Sequence, residues 1–222
     1  YMLRHSHTSP FEHCVITLGM KMPIFVARQF VRHRTQSINE ISARYSVLPS
    51  EFYLPEPEQV CAQDGQNKQG RAVALGAEDA EQFRRWEALS GSQAFDGYAQ
   101  WLEAGVARET ARIALPLSTY TEWVTTMNLH NLLHMLRLRL DEHAQWETRQ
   151  YAEAIAKIVA EWVPITWRAW TEYVRDGVRL SRSEWDVVRT ALRTQYPSKD
   201  LAEFLSEATD SERSEFLRKL RN

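Results

Sequence analysis

The chain contains 222 residues, of which 44% are hydrophobic and 25% are charged; this composition is typical of a globular domain and excludes a disordered chain, a collagen-like fibre and a coiled-coil rod. No apolar run reaches the roughly 18 residues of a membrane-spanning helix, and the formal net charge of −2 excludes a globally basic nucleic-acid-binding surface. Two cysteines, Cys14 and Cys61, are too few for a disulfide scaffold and, with no secretory leader in view, predict a cytoplasmic protein.

The first fifty residues predict a strand followed by a helix. Residues 12–21 mix β-branched and apolar side chains, which favours a strand. Pro23 suits the first turn of a helix, and apolar side chains recur at helical spacing from residue 25 to residue 31. Residues 35–46 are polar and turn-like, and a short strand is expected at 43–48.

Residues 55–76 are rich in Pro, Gly, Gln and Asn and predict a surface loop. The elements expected after it are a helix at 77–104 that glycine at 91 is able to interrupt, a helix at 106–113, a strand at 120–128 and helices at 129–140 and 144–163. From 166 to 222 charge becomes dense, with helix starts expected near Ser181 and Asp210. The order of elements predicts an α/β (α+β) domain with a helical C-terminal extension.

Basic residues are strongly biased, since 22 of the 27 are arginine and five are lysine. A guanidinium suits phosphate and carboxylate groups because it donates two parallel hydrogen bonds. High genomic GC content produces the same bias without a functional cause, so the positions of the arginines are more informative than their number.

The densest polar cluster begins with Arg32, His33 and Arg34 at a predicted helix end. Cations are favourable at a helix C-terminus, which by itself explains these three residues. It does not explain the amide, carboxylate, hydroxyl and further guanidinium of Asn39, Glu40, Ser42 and Arg44. Such a donor and acceptor set suits a nucleotide.

A second cluster contains Asn128, His130, His134, Arg137 and Arg139. The two histidines are four residues apart and share a helix face, which is compatible with zinc. A third ligand at a recognisable spacing is missing, so core or surface histidines are the commoner outcome. Arg137 and Arg139 point in different directions on an ideal helix.

Several common site motifs are missing from the sequence. The glycine patterns of Rossmann and P-loop phosphate sites do not occur, and neither does a G-x-S-x-G nucleophile elbow. Cys14 is expected in the middle of a strand and Cys61 in the loop, so neither has an activating environment for a nucleophile.

The motifs together resemble the flavin-dependent thymidylate synthases. Arg32-His33-Arg34 followed after seven residues by Ser42 matches their RHR-x7-S signature. The segments 7–13, 128–139 and 141–147 are similar to their other motifs, in the same order. The resemblance covers residues 1–165 and implies that further residues precede Tyr1; it assigns nothing to the extension 166–222.

The resemblance implies methylation of dUMP to dTMP, with 5,10-methylenetetrahydrofolate as the carbon donor and FAD, reduced by NADPH, as the hydride source. It also implies a mixed sheet flanked by long helices, unrelated to the Rossmann fold. The expected partner is the chain itself, in a homotetramer whose sites are shared between subunits; polymeric nucleic acid and membranes are not expected partners.

The resemblance further implies residue roles. Arg139 is the expected catalytic residue, which polarises the uracil ring and favours loss of its N3 proton. The expected FAD contacts are Ser9, Arg32, His33, Arg34, Glu40, Asn128, His130 and His134, of which the two last stand where many members carry Arg and Asn. The expected dUMP contacts are Gln29, Phe30, Val31, Arg32, Glu40, Ile41, Ser42, Ala43, Arg44, Arg112 and Arg139.

Two alternatives belong to other classes. A nucleotide- or RNA-binding module built on the same arginines would bind polynucleotides with a strong salt dependence and would carry no chromophore. A metal hydrolase built on His130 and His134 would lose its activity to a chelator.

Overall fold

The computed structural model describes residues 1–66, 68–195 and 208–221, which form two compact units, Tyr1–Arg175 and Asp176–Asn222. The strands are β1 (Val15–Pro23), β2 (Ser37–Glu40), β3 (Cys61–Gln63), β4 (Arg71–Ala74) and β5 (Tyr120–Asn128). The helices are α1 (Ser9–Glu12), α2 (Ile24–Phe30), α3 (Ala77–Glu103), α4 (Arg108–Ala111), α5 (Leu129–Arg139), α6 (Trp146–Trp162), α7 (Pro164–Trp170), α8 (Arg182–Gln195) and α9 (Asp210–Arg221).

The main sheet has the order β1-β5-β2, with β5 in the centre. Both strand pairs are antiparallel. In the β1–β5 pair Val15 lies opposite Asn128, and in the β2–β5 pair Ser37 lies opposite Thr126. Along β5 the side chains alternate between buried and exposed positions, as expected of a strand with one face on the core. The predicted strand at 120–128 is confirmed.

The main core lies between this sheet and helices α2, α5 and α6. Helix α5 contributes a continuous apolar face because its leucines recur at helical spacing. The fully buried side chains in this core include Met22, Val26, Phe30, Leu132, Leu136, Ala152, Val159 and Trp170. The ends of α2 and α5 are thereby fixed relative to each other, which matters for the site below.

Helix α3 is continuous through the glycine that the sequence allows as a break. An added Cβ at Gly91 would lie 2.6 Å from a ring carbon of Phe52, so the glycine permits close packing rather than an interruption. Phe52 stacks on Phe95 in a second, smaller apolar cluster with Tyr98 and Ala111.

Three local predictions are wrong. Residues 43–48 form turns and irregular backbone, and the strand of this region is β2 at Ser37–Glu40. Strand β1 begins at Val15, after the short helix α1, so Cys14 precedes the strand rather than lying within it. The segment 55–76 is not irregular, because it forms a 3-10 turn and the β3–β4 hairpin, in which Cys61 is the first residue of β3.

The α/β class with long helices is confirmed, although the described strands pair only antiparallel, so the sheet is antiparallel rather than mixed. In the second unit, helix α8 begins at a capping box in which the Glu184 carboxylate accepts from the Ser181 N–H at 2.7 Å. Helix α9 begins at Asp210, as predicted. Residues 196–207 and 222 of the predicted extension lie outside the described residues. No helix of the described residues is long and apolar enough to cross a membrane.

Candidate functional site

The guanidinium of Arg139 is held between the end of α2 and the loop that follows it. Its Nε donates to Nε2 of His33 at 2.9 Å, and its Nη2 donates to the backbone carbonyl of Gln29 at 2.8 Å. The ring of His134, on α5, lies edge-on to the His33 ring with 6.4 Å between the ring centres. Four of the predicted site residues are therefore brought together.

The electrostatics keep His33 neutral. Burial lowers the pKa of His33 to about 4, with the charges of Arg139 and His134 adding to the effect. A neutral ring accepts the hydrogen bond from Arg139, whereas a protonated ring has no lone pair to offer. Burial also lowers the pKa of Arg139, and no carboxylate of the described residues pairs with it. Its charge is left for a ligand.

The segment that carries the signature, residues 31–36, is defined here as the RHR loop. Gln36 fixes its end, because its amide nitrogen donates to the carbonyl of Phe30 at 2.8 Å and its amide oxygen accepts from Thr125 at 2.7 Å. Arg32 and Arg34 are exposed and make no hydrogen bond or ion pair to a described residue. Two unpaired guanidinium groups thus project from an anchored loop.

The start of α5 lies where β1 and β5 meet. The Leu129 N–H donates to the Cys14 carbonyl at 2.7 Å, and the Asn128 side chain caps α5 by accepting from the Asn131 N–H at 2.9 Å. Ser9 is exposed on α1, which packs against α5. His130, two residues after Asn128, is half-buried. Asn128 therefore has a structural role as a cap in addition to any contact with a ligand.

A second cluster forms after β2. Nη2 of Arg44 pairs with the Glu109 carboxylate at 3.0 Å, and the backbone N–H of Arg44 donates to the Ser42 hydroxyl at 3.3 Å. Arg108 donates to the carbonyl of Tyr45 at 2.9 Å. Arg44, Tyr45, Arg108 and Glu109 line a cleft of about 540 Å³, which is named the Arg44–Glu109 cleft.

The remaining predicted dUMP contacts are dispersed. The Glu40 carboxylate accepts from the Thr121 hydroxyl at 2.6 Å on the sheet. Phe30 and Ala43 are buried, Val31 and Ile41 are exposed, and Arg112 lies half-buried in a 3-10 turn.

Strand β2 separates the two clusters. Its four residues alone span about 10 Å at 3.3 Å per step, with the RHR loop before them and the Arg44–Glu109 cleft after them. The predicted site residues therefore form two clusters, one at each end of β2.

Sequence reasoning missed a buried polar network beside the first cluster. Glu147, in the first turn of α6, is 4% exposed and accepts from Nη2 of Arg71 at 2.5 Å and from the Tyr53 hydroxyl at 3.0 Å. Gln145 donates to the same carboxylate at 2.9 Å and accepts from the side chain of Gln29. The network borders a cleft of about 500 Å³ beneath the β3–β4 hairpin.

This network affects two pKa values. Burial opposes ionisation of Glu147, but the hydrogen bonds from Arg71, its own backbone N–H and Tyr53 outweigh burial, so the pKa of Glu147 is lowered. Burial, followed by the charge of Glu147, raises the pKa of Tyr53. The carboxylate is thus ionised and the phenol neutral. The sequence offered two signals for Glu147. One is the resemblance of segment 141–147 to a family motif, and the other is an acidic residue at the start of an apolar helix, which ordinarily indicates only a helix-dipole contact.

The described residues offer no ligand set for zinc. No group of three His, Cys, Asp or Glu side chains in the described part of the chain is arranged to hold a metal ion. His134 is exposed and packs beside His33, while His130 lies half-buried.

The fold and the site define an α/β protein in which Arg139 binds a neutral histidine, and Arg32 and Arg34, on either side of that histidine in sequence, have no partner among the described residues. This arrangement suits an anionic, planar ligand. Comparison with known proteins makes this specific. Residues 1–165 match the Thy1 family, described as Thymidylate synthase complementing protein. The chain belongs to this family, and the resemblance to flavin-dependent thymidylate synthases is confirmed.

Curated relatives carry that name. The flavin-dependent thymidylate synthase of Ehrlichia ruminantium (strain Gardel) is 50% identical over 189 residues, which is 85% of this chain and 64% of the relative. That of Gluconobacter oxydans is 49% identical over 195 residues, 86% of this chain and 64% of the relative. The chain thus spans about 64% of the length of these relatives.

Solved structures share the fold. The crystal structure of a UMP/dUMP methylase, PolB from Streptomyces cacaoi, bound with 5-Br UMP aligns with a TM-score of 0.76 at 37% identity. The alignment covers 79% of this chain and 80% of that one.

Proposed function

We propose that this chain catalyses the reductive methylation of dUMP to dTMP, with 5,10-methylenetetrahydrofolate as the carbon donor and FAD, reduced by NADPH, as the hydride source. Its family membership and the dUMP named for the methylase of similar fold support the reaction. The observation that carries it is the half-buried Arg139, oriented by a neutral ring and a carbonyl and left without a carboxylate partner among the described residues.

Arg139 has the properties that activation of a uracil ring requires. The ring becomes nucleophilic at C5 as N3 loses its proton, and negative charge then spreads onto the ring carbonyls. A fixed guanidinium beside a carbonyl stabilises that charge without reorganising. The orientation comes from His33 and Gln29, so these two residues act as positioning groups in this step.

The residues present also fit FAD, whose pyrophosphate carries the negative charge that unpaired arginines bind. The guanidinium groups of Arg32 and Arg34, on an anchored loop, have no partner among the residues that the structure describes, and His134 lies beside His33 in the same loop. When bound, the flavin supplies the hydride that reduces the transferred carbon to a methyl group. His130, Asn128, Ser9 and Glu40 stay proposed flavin contacts.

We further propose a cytoplasmic homotetramer with sites shared between subunits. The placement of the RHR loop and of Ser42 and Arg44 at opposite ends of β2 supports sharing, because a second copy could supply to each cluster the residues that lie in the other. Helix α3 also exposes Phe83, Trp86 and Leu89 at helical spacing, the pattern of a face that packs against another chain. Both cysteines are free, which suits a reducing compartment.

The test is product formation by purified protein supplied with FAD, NADPH, methylenetetrahydrofolate and dUMP, with dTMP separated by chromatography. Loss of one charge-stabilising donor costs about 2.7–4 kcal/mol of barrier, or a factor of roughly 100 to 1,000 in rate. We expect that loss in Arg139→Ala and a near-normal rate in the matched control Arg137→Ala. No dTMP from the wild-type protein, or equal rates in the two variants, would refute the proposal.

A further inference from the structure

The Glu147 network has a definite hydrogen-bond polarity. An ionised carboxylate accepts hydrogen bonds and cannot donate them, and Glu147 is ionised beside Arg71. Gln145 must therefore present its NH₂ group to Glu147, as it does at 2.9 Å. This leaves the carbonyl of Gln145 on the other side of the same amide.

The orientation of the Gln145 amide also fixes the orientation of the Gln29 amide. The Gln145 carbonyl accepts from the side-chain NH₂ of Gln29, so the amide of Gln29 also has one allowed orientation. The amide oxygen of Gln29 then makes no hydrogen bond to a described residue. The backbone carbonyl of Gln29 meanwhile holds Arg139 at 2.8 Å, so this free oxygen lies on the residue that orients the catalytic guanidinium.

We propose that Glu147 is a positioning residue that, through Gln145, fixes the amide of Gln29 as a hydrogen-bond acceptor for a donor group of the nucleotide. The inference rests on the proposed function, since the nucleotide is dUMP. Uracil N3–H and the ribose 3′-hydroxyl are the two donors that this acceptor suits. An acceptor beside N3 would oppose the loss of the N3 proton that the proposed reaction requires, so the 3′-hydroxyl fits that reaction better. The pair Arg71 and Tyr53 keeps the carboxylate ionised and buried, which links the β3–β4 hairpin to the site.

The test removes the hydrogen bonds that Gln145 makes to Glu147 and Gln29 and leaves the ion pair between Arg71 and Glu147 in place. Gln145→Met keeps the side-chain length but has neither the NH₂ group that donates to Glu147 nor the carbonyl that accepts from Gln29. The Gln29 amide is then free to rotate. Binding of dUMP to the flavin-loaded protein is measured by the change in the visible flavin spectrum. We expect binding to weaken roughly three- to tenfold, the value of one neutral hydrogen bond. Gln150→Met, on the exposed surface of the same helix, is the matched control and should bind as the wild type does.

Two analogues separate a positioning effect from a general structural one. N3-methyl-dUMP lacks the ring donor and 2′,3′-dideoxyuridine monophosphate lacks the 3′-hydroxyl. The wild type should discriminate against the analogue that lacks the recognised donor, and Gln145→Met should lose that discrimination, which a merely structural change would not alter. If Gln145→Met fails to load flavin, Glu147→Gln is used, since it keeps the shape and removes the fixed polarity.

Equal discrimination by wild type and variant against both analogues would overturn the inference while leaving the proposed function intact. Absence of dUMP binding by the wild-type protein would instead overturn the proposed function.

Discussion

His33 should make the free energy of unfolding fall in mild acid. In the unfolded chain its pKa is about 6.5, whereas burial beside Arg139 lowers it to about 4 in the folded protein. Between these values the unfolded state binds more protons, so lowering the pH favours unfolding. The stability is complete above pH 6.5 and is lost as the pH falls to about 4.

The magnitude follows from the shift. One pKa unit corresponds to about 1.4 kcal/mol, so the full shift from 6.5 to about 4 sets an upper bound of about 3.5 kcal/mol. The ring is only half-buried and water screens its charge, so we expect roughly 1–2 kcal/mol. His33→Gln keeps an acceptor for Arg139 without a titrating group, and its stability should lack this part of the pH dependence.

The assay is urea unfolding of flavin-free protein, followed by circular dichroism between pH 4.5 and 7.5 at one protein concentration. His143→Gln is a control of opposite sign. The hydrogen bond and charge of Asp141 raise the pKa of His143, so its contribution is present in acid and lost as the pH rises through the raised value. Identical pH profiles for wild type and His33→Gln would refute the assigned electrostatics.

Three further predictions concern packing and surface charge, the first two measured by the same unfolding assay. Gly97→Ala should stabilise the protein by about 0.5–1 kcal/mol, because an added Cβ there meets nothing within 4 Å. Gly91→Ala should be about 1–3 kcal/mol less stable than Gly97→Ala, because its added Cβ meets Phe52 at 2.6 Å. Equal stabilities of the two variants would contradict the close packing of Gly91 on Phe52. Leu132→Ala should cost about 2–5 kcal/mol, since the side chain is fully buried, and a loss below 1 kcal/mol would mean that α5 is not packed as described. Arg44→Ala should cost under about 1 kcal/mol of stability because its ion pair is exposed, yet it should weaken dUMP binding in the titration above at least tenfold; unchanged binding would remove Arg44 from the substrate site.

The elements predicted well from sequence are those with a long, regular pattern. Strand β5 alternates over nine residues with one face on the core, and α5 carries four leucines at helical spacing. Strand β2 was missed because three of its four residues are polar and it lies at the sheet edge, where only Ile38 packs on the core. Gly91 was open to two interpretations because its packing partner, Phe52, lies far away in sequence.

The same distinction applies to the site. The RHR loop and residues 39–44 lie close together in sequence, so their combined composition indicated a nucleotide-binding function. The Glu147 network is assembled from distant segments, since Tyr53 and Arg71 lie 94 and 76 residues away from it. No local pattern indicates that a carboxylate in the first turn of an apolar helix is buried and paired with a hairpin arginine, because that depends on tertiary packing.

The central claim is that the arginines around His33 serve a flavin-dependent reaction on dUMP. An anaerobic visible spectrum of the purified protein tests it most directly, recorded after addition of FAD, then NADPH, then dUMP with methylenetetrahydrofolate. We predict a flavin band that bleaches with NADPH and returns when both substrates are present, and that stays bleached in Arg139→Ala. A tetrameric preparation that binds no flavin, or a reduced flavin that never reoxidises with both substrates, would contradict the account.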